Sequence, residues 1–179
     1  MTRIVVDAGH GGGDAGAVNG SRYEKDATLI MAMKVTNRLR NAGFEVTMTR
    51  NDDRALTLQR RCDVSNQHKA DAFISIHCNS ATNKEAHGIE TWRYSKVGAT
   101  TKALAANIQA AMIEATGAKD RGVKENAFYV LKNTKAPAVL LEIGFISNAD
   151  EVQKIFSTDY QNMLANAILS GVKKTFTTA

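Results

Sequence analysis

The run Ile4-Val5-Val6-Asp7-Ala8, continued by Gly9-His10-Gly11-Gly12-Gly13-Asp14-Ala15-Gly16, constrains this chain more than any other stretch. A short apolar run rich in Ile and Val reads as a buried strand, and the glycines after it cannot continue it. His10 therefore stands just past a strand's carboxyl end, on backbone that glycine allows to bend sharply. In open α/β sheets that edge is where ligands bind. A second run, Ala72-Phe73-Ile74-Ser75-Ile76-His77, also ends in a histidine. Two buried parallel strands delivering imidazoles to one sheet edge would make half of a metal site.

The rest of the chain alternates helices with strands. The 24–42 stretch has a helical period, with Leu29, Met33, Thr36 and Leu39 or Arg40 along one stripe and Gly43 as the stop. Residues 44–49 alternate strictly, as a half-buried strand near the sheet edge does. After a turn at Asn51-Asp52-Asp53, a helix is marked by Leu58, Cys62 and Ser65 or Asn66. Residues 79–87 read as a loop, 88–94 as a strand and 100–116 as an alanine-rich helix stopped by Gly117. A loop over 118–122 and a strand over 128–131 follow. Residues 138–143 make the last buried strand, and helices over 149–156 and 159–176 close the chain, with Asp159 as an N-cap. Such alternation, with several strands apolar throughout, calls for a mostly parallel sheet with helices on both faces.

At 179 residues with one proline, no repeat and no low-complexity tract, the expectation is one domain over 1–179. A net charge of +5 suits an anionic partner such as nucleic acid, acidic lipid or a wall polymer, and equally a simple solubility balance. Cys62 and Cys78 are too few for a disulfide framework and read as buried free thiols; adjacent strand residues face opposite ways, which sets Cys78 against ligation beside His77. No run is long and apolar enough to span a membrane, and the chain enters its first strand without a signal sequence. If the chain works outside a membrane, the expectation is that something else exports or releases it, or that a leader lies outside this sequence.

The candidate ligands are His10, His77 and an acid reachable from the same edge. A helix following a strand begins at that strand's carboxyl end, so Glu24 belongs near His10. An acid there also suits the helix dipole without any metal. Glu142, inside an apolar run, could arrive at the same edge, and burying a carboxylate unpaired costs several kcal/mol, so it needs a cation, a metal or a job. Two histidines, one carboxylate and an open fourth position make a hydrolytic zinc site. The glycine loop has no Gly-Lys-Ser/Thr ending or GxGxxG, and no HExxH occurs, which argues against nucleotide binding and a helix-borne protease motif.

Taken in order, the motifs are Asp7-Ala8-Gly9-His10-Gly11-Gly12 with Asp14, Gly16-Ala17 and Glu24; Thr49-Arg50 with Asp53; Leu58 and Arg61; and Ser75-Ile76-His77 with Asn79. Gly88 with Glu90-Thr91, Asp120-Arg121-Gly122, and Pro137-Ala138-Val139-Leu140 with Glu142, Gly144-Phe145 and Ser147-Asn148 complete the set. With these, from about Ile4 to Phe176, the chain resembles the zinc-dependent N-acetylmuramoyl-L-alanine amidases, the peptidoglycan hydrolases of bacterial autolysins and phage endolysins.

The resemblance implies a six-stranded sheet flanked by helices, of phosphorylase/hydrolase-like type. It implies one zinc held by His10, Glu24 and His77, with Glu142 as the catalytic carboxylate acting on a zinc-bound water. The bond cut would be the amide between N-acetylmuramic acid and L-alanine. The partner expected is then peptidoglycan, not nucleic acid or a membrane, and a monomer suffices. The 79–87 loop is too short for the inhibitory helix that Gram-negative members can carry. Asp7, Asp14 and Asn79 are candidates to orient the histidines. Asn79 and Arg121 are candidate substrate contacts, and Arg121 serves equally in a loop ion pair. Trp92, Tyr94 and Tyr129 could stack on sugar or pack on the sheet, and His68 and His87 read as surface or packing residues. Two other readings stay open: a zinc exopeptidase of carboxypeptidase type, and a non-catalytic wall-binding module.

Overall fold

The computed structural model describes residues 1–176. The apolar run after Thr2 forms β1 (Arg3–Ala8), and a small hairpin follows from β2 (Val18–Asn19) and β3 (Arg22–Tyr23). Helix α1 (Glu24–Asn41) opens with Glu24 and Asp26 and ends with Arg38 and Arg40, charges placed to suit its dipole, and the chain leaves it through Gly43 at φ +89°. Then come β4 (Glu45–Met48), α2 (Leu58–Gln67), β5 (Ala72–Asn79) and β6 (Ile89–Arg93). The chain continues with α3 (Ala99–Thr116), β7 (Asp120–Glu125), α4 (Tyr129–Asn133), β8 (Ala138–Phe145), α5 (Ala149–Ile155) and α6 (Thr158–Phe176).

Six strands make one sheet in the order β4-β1-β5-β8-β6-β7, parallel throughout except where β6 runs against β8. The expected mostly parallel, six-stranded sheet is what forms, with the alternating 44–49 strand at one edge. Alternate residues of the central strands feed two cores. Ile4, Val6, Ile74, Ile76, Val139 and Leu141 pack with α1, α3 and α6, while Val5, Phe73 and Leu140 pack with Cys62 of α2 and with Val130 and Leu131 of α4. Both thiols are free and buried, and Cys78 faces the first core, away from His77. Among the described residues no helix is long and apolar enough to cross a membrane.

Several local expectations are corrected. Residues 128–131 were expected as a strand but lead into helix α4. The consecutive residues Val130 and Leu131 both turn inward there, which a strand's alternation forbids. The loop expected over 118–122 instead runs into β7, a strand whose polar sequence is tolerated because it lies at the sheet edge. On α1 the buried stripe is Ala27, Met31, Val35 and Leu39 with their neighbours Thr28, Ala32 and Thr36; Leu29 is half-buried and Met33 is 45% exposed. Thr36 and Leu39 of the expected stripe are buried, whereas Leu29 and Met33 give way to Ala27, Met31 and Ala32, small or flexible side chains that suit a close approach to the sheet. Leu58 is likewise 53% exposed, whereas Cys62 and Ser65 are buried as expected. Asp159 lies inside the first turn of α6 and is not its cap.

Candidate metal centre and active site

The carboxyl ends of β1, β5 and β8 lie side by side, and the candidate residues gather there. His10 follows β1 with φ +60°, one of two non-glycine residues among those described with a positive φ. Glu24 is the first residue of α1, and His77 lies near the end of β5. One imidazole nitrogen from each histidine and a Glu24 oxygen lie within 4.8 Å of one another. Both His10 Nε2, at 3.0 Å, and His77 Nδ1, at 3.1 Å, face the same atom, Glu24 Oε1. The rings stand edge to face with centroids 5.0 Å apart.

Packing around these groups leaves them little freedom. Glu24 is buried, and its carboxylate accepts from the backbone N–H groups of Cys78, at 3.0 Å to Oε1, and Ala17, at 2.9 Å to Oε2. A side chain at Gly9 would strike the His77 ring, its Cβ lying 2.3 Å from Cε1, so glycine there is what admits the imidazole. His10 Nδ1 donates to Asp14 Oδ2 at 2.8 Å, which turns Nε2 towards Glu24. Of the three candidates for orienting a histidine, Asp14 takes that place. Asp7 is buried and accepts from Thr49, Arg61 and Ser75, and Asn79 donates to Glu90.

The electrostatics follow from these contacts. Burial alone would raise the Glu24 carboxyl, but hydrogen bonds from His10 and His77 and their charges hold it well below the usual carboxylate range. Burial lowers His10, and the carboxylates of Glu24 and Asp14 more than reverse this, so its pKa is raised.

Glu142 pairs in register with His77 on one side and with Glu90 on the other, so all three side chains project from one face of the sheet. Burial, with the negative charges of Glu24 and Glu90, pushes its carboxyl well above the usual range. Its Oε2 is buried with no hydrogen-bond partner among the described residues. A buried carboxylate oxygen left unpaired costs stability, and a chain keeps one where it has work for it. Glu142, His10, His77 and Asp14 line one cleft of about 460 Å³, which Leu58 and Tyr129 border on the α2 and α4 side.

Glu90 is a buried charge hub. It accepts from Asn79 and Trp92 and pairs with Arg121 Nε at 2.8 Å and Lys124 Nζ at 2.6 Å. Arg121 also lies over the Phe145 ring, so the ion-pair reading of the Asp-Arg-Gly motif describes its contacts. Trp92 packs edge to face on Phe128, whereas Tyr129 is 40% exposed in the cleft. His87 is exposed and lies outside the cluster.

Residue reasoning gave no role to Arg50, Arg61 or Glu90, although all three stood in the quoted motifs. The available signal for Arg61 was its place on the buried face of α2 with Cys62 and Ser65; charged residues on that face must find partners inside.

The donor set, two imidazoles and a carboxylate beside an unpaired buried acid, fits a hydrolytic metal ion. Comparison with known proteins points the same way. The family described as N-acetylmuramoyl-L-alanine amidase matches residues 4–174. The chain is 40% identical over 170 residues to the uncharacterized protein YqiI of Bacillus subtilis, covering 94% of this chain and 82% of that one. It is 37% identical over 169 residues to the N-acetylmuramoyl-L-alanine amidase LytC of the same organism, covering 94% of this chain but only 34% of LytC. The solved catalytic domain of CwlV, an N-acetylmuramoyl-L-alanine amidase from Bacillus (Paenibacillus) polymyxa var. colistinus, superimposes with a TM-score of 0.94 at 39% identity, each chain covered in full. On the family match and these relatives, the chain belongs to the N-acetylmuramoyl-L-alanine amidase family.

Proposed function

We propose that this chain is a catalytic domain that hydrolyses the amide joining the lactyl group of N-acetylmuramic acid to L-alanine in peptidoglycan. In this reading His10, Glu24 and His77 hold one zinc ion and Glu142 is the catalytic carboxylate. The observation that carries it is the convergence of the three donors within 4.8 Å beside Glu142, whose Oε2 has no partner among the described residues. Zinc in such a site supplies Lewis acidity towards the scissile carbonyl and lowers the pKa of a water to about 7.

The chain's own groups supply the rest. Glu24 is aimed by two backbone N–H groups, so a cation meets a formed ligand. Asp14 fixes the His10 tautomer, leaving Nε2 as the donor atom. Glu142 takes a proton from the attacking water and returns it to the leaving amine. Its burial beside two other carboxylates makes it hold that proton strongly, as a base that turns acid must. Asn79 and Arg121, both bonded to Glu142's neighbour Glu90, are the substrate contacts of this reading, Arg121 offering a charge and Asn79 a neutral amide to the stem peptide. In this reading the protein acts on the cell wall as a monomer, and it reaches the wall through lysis or a holin, or by means of a leader or wall-binding segment outside this sequence.

Metal analysis beside a digest of defined muropeptides tests this. The expected result is one zinc per chain, intact stem peptides freed from glycan, loss of activity in EDTA and recovery on adding zinc. Undiminished digestion after chelation would overturn the metal assignment, and release of single amino acids would point to an exopeptidase. Binding of wall without turnover would leave only a wall-binding module.

A further inference from the structure

His10 is held by more than its own loop. Three successive carbonyls, those of Ala8, Gly9 and His10, are each gripped by a buried arginine from the 50–61 segment. Arg50 donates from Nε to Ala8 O at 3.0 Å and from Nη2 to Gly9 O at 2.8 Å. Arg61 donates from Nη1 to Ala8 O at 2.5 Å and from Nη2 to His10 O at 2.7 Å. The remaining contacts of these guanidinium groups fix the arginines themselves. Arg50 also reaches Asp52 O, Lys25 O and the Thr28 hydroxyl, and Arg61 reaches Asp7 Oδ1 and Leu56 O.

The same segment pins the outside of the loop. Asp53 accepts from Gly12 N at 2.8 Å and Lys25 Nζ at 2.7 Å, and a Cβ on Gly11 would lie 2.2 Å from Arg54 O.

Two features make this arrangement unexpected for mere packing. Arg61 is paired with Asp7, but Arg50 brings a buried positive charge to the loop that carries the proposed ligand, which nothing in the electrostatics of cation binding favours. Arg50 moreover bonds carbonyls and the Thr28 hydroxyl, with no carboxylate in direct contact among the described residues, and burying a cation so satisfied is costly. What the pair does provide is geometric: a rigid fork of donors that fixes backbone, which a lysine cannot reproduce. The backbone so fixed includes His10 in its left-handed conformation, which a non-glycine residue holds only when its surroundings over-determine it.

We propose that the 50–61 segment is a clamp that presets His10 for metal capture, with Arg50 and Arg61 as its positioning residues. The proposal rests on the reading of His10 as a ligand. Zinc dissociation constants of the apo-protein, measured by competition with a chromophoric chelator, test it together with the visible spectrum of the cobalt-substituted form. Arg61→Lys and Arg50→Lys are each expected to weaken zinc about 10- to 100-fold, as loss of groups orienting a ligand does, and to shift the cobalt bands.

Gly171→Ala provides the control. It overpacks α6 against Ile108 in the apolar core, away from Asp7 and the loop carbonyls, and should lower the melting temperature of the apo-protein while leaving zinc affinity unchanged. A folded Arg61→Lys protein with wild-type affinity and cobalt spectrum would overturn the proposal. So would a Gly171→Ala protein losing as much affinity as Arg61→Lys. Should neither arginine variant fold, Asp53→Ala decides, because Asp53 is exposed yet grips the same loop: weakened zinc supports the clamp and unchanged zinc overturns it. If wild-type protein binds no zinc, or His10→Ala binds it normally, the ligand reading fails instead.

Discussion

On the face of the sheet packed by α1, α3 and α6, the inward residues of β1, β5 and β8 are Ile4, Val6, Ile74, Ile76, Val139 and Leu141, apolar from end to end. On the other face, alternate residues of the same strands run from Val5 to Asp7, from Phe73 through Ser75 to His77, and from Leu140 to Glu142. One face is core for its full length; the other is core only at the amino ends of the strands and becomes polar towards the carboxyl ends. The two faces share backbone, so a strand anchored on one side by apolar burial can carry unfavourable groups on the other. Most buried polar groups of the second face are fully occupied: Asp7 has three side-chain partners and Glu90 four. Glu142 Oε2 breaks that pattern and is therefore the atom on which the division between stability and chemistry is best tested.

The largest effect expected is at that atom. Glu142→Gln keeps the shape and removes the base, so kcat should fall at least ~100-fold while zinc content and fold persist. Stability should hold or rise, since an unpaired buried carboxylate is lost. Steady-state kinetics beside metal analysis and thermal melts check this, and a near-wild-type rate would erase the contrast between the faces. A smaller effect, opposite in kind, is expected on the apolar face. Gly171 of α6 lies so close to α3 that a Cβ would sit 2.6 Å from the Ile108 Cα. Gly171→Ala should cost about 1–3 kcal/mol of stability by overpacking and leave kcat per folded molecule unchanged. Denaturant unfolding with active-site titration measures both, and a fall in kcat without a fall in stability would show that the faces are not independent.

The apolar face was largely legible in sequence because burial writes itself as runs of Ile, Val and Leu. The 72–77 and 138–143 runs gave β5 and β8, and the glycines after Ala8 marked the sheet edge. His10, His77 and Glu142 were legible as candidates because each is a polar residue where an apolar run ends or is interrupted. What sequence did not carry was phase and partnership. Met33 and Leu58 suit a buried stripe by type, yet both are exposed, and on α1 Met31 takes the inward position. Val130 and Leu131 suit a strand by type, yet a short helix brings both inward. Arg50 looks like a surface residue, since nothing local says that a carbonyl about 40 residues earlier will accept from it, and the place of Arg61 on the buried face of α2 demands a partner without naming the carbonyl about 50 residues earlier. A clamp between distant segments exists only once the sheet has formed.

The subtlest test sets two acids of the polar face against each other in metal-free protein. Burial alone would raise Asp7, but the Arg61 charge and hydrogen bonds from Thr49, Ser75 and Arg61 overcome it, leaving the carboxyl below its ordinary value of 3.8. Folding then favours the ionised form, so the stability Asp7 contributes is present above about pH 4 and is lost as pH falls through the depressed value. Glu142 has the opposite sign. Raised by burial and by Glu24 and Glu90, it folds preferentially protonated, so its contribution declines as pH rises above its ordinary value of 4.5. Unfolding free energies of the EDTA-treated protein across this range should therefore fall towards acid less steeply in Asp7→Asn than in wild type. In Glu142→Gln the decline on the alkaline side of pH 4.5 should disappear. Parallel curves for all three proteins would mean that neither carboxyl differs between the folded and unfolded chain. The polar face would then carry no electrostatic cost, and the argument that Glu142 is kept for its chemistry would lose its physical basis.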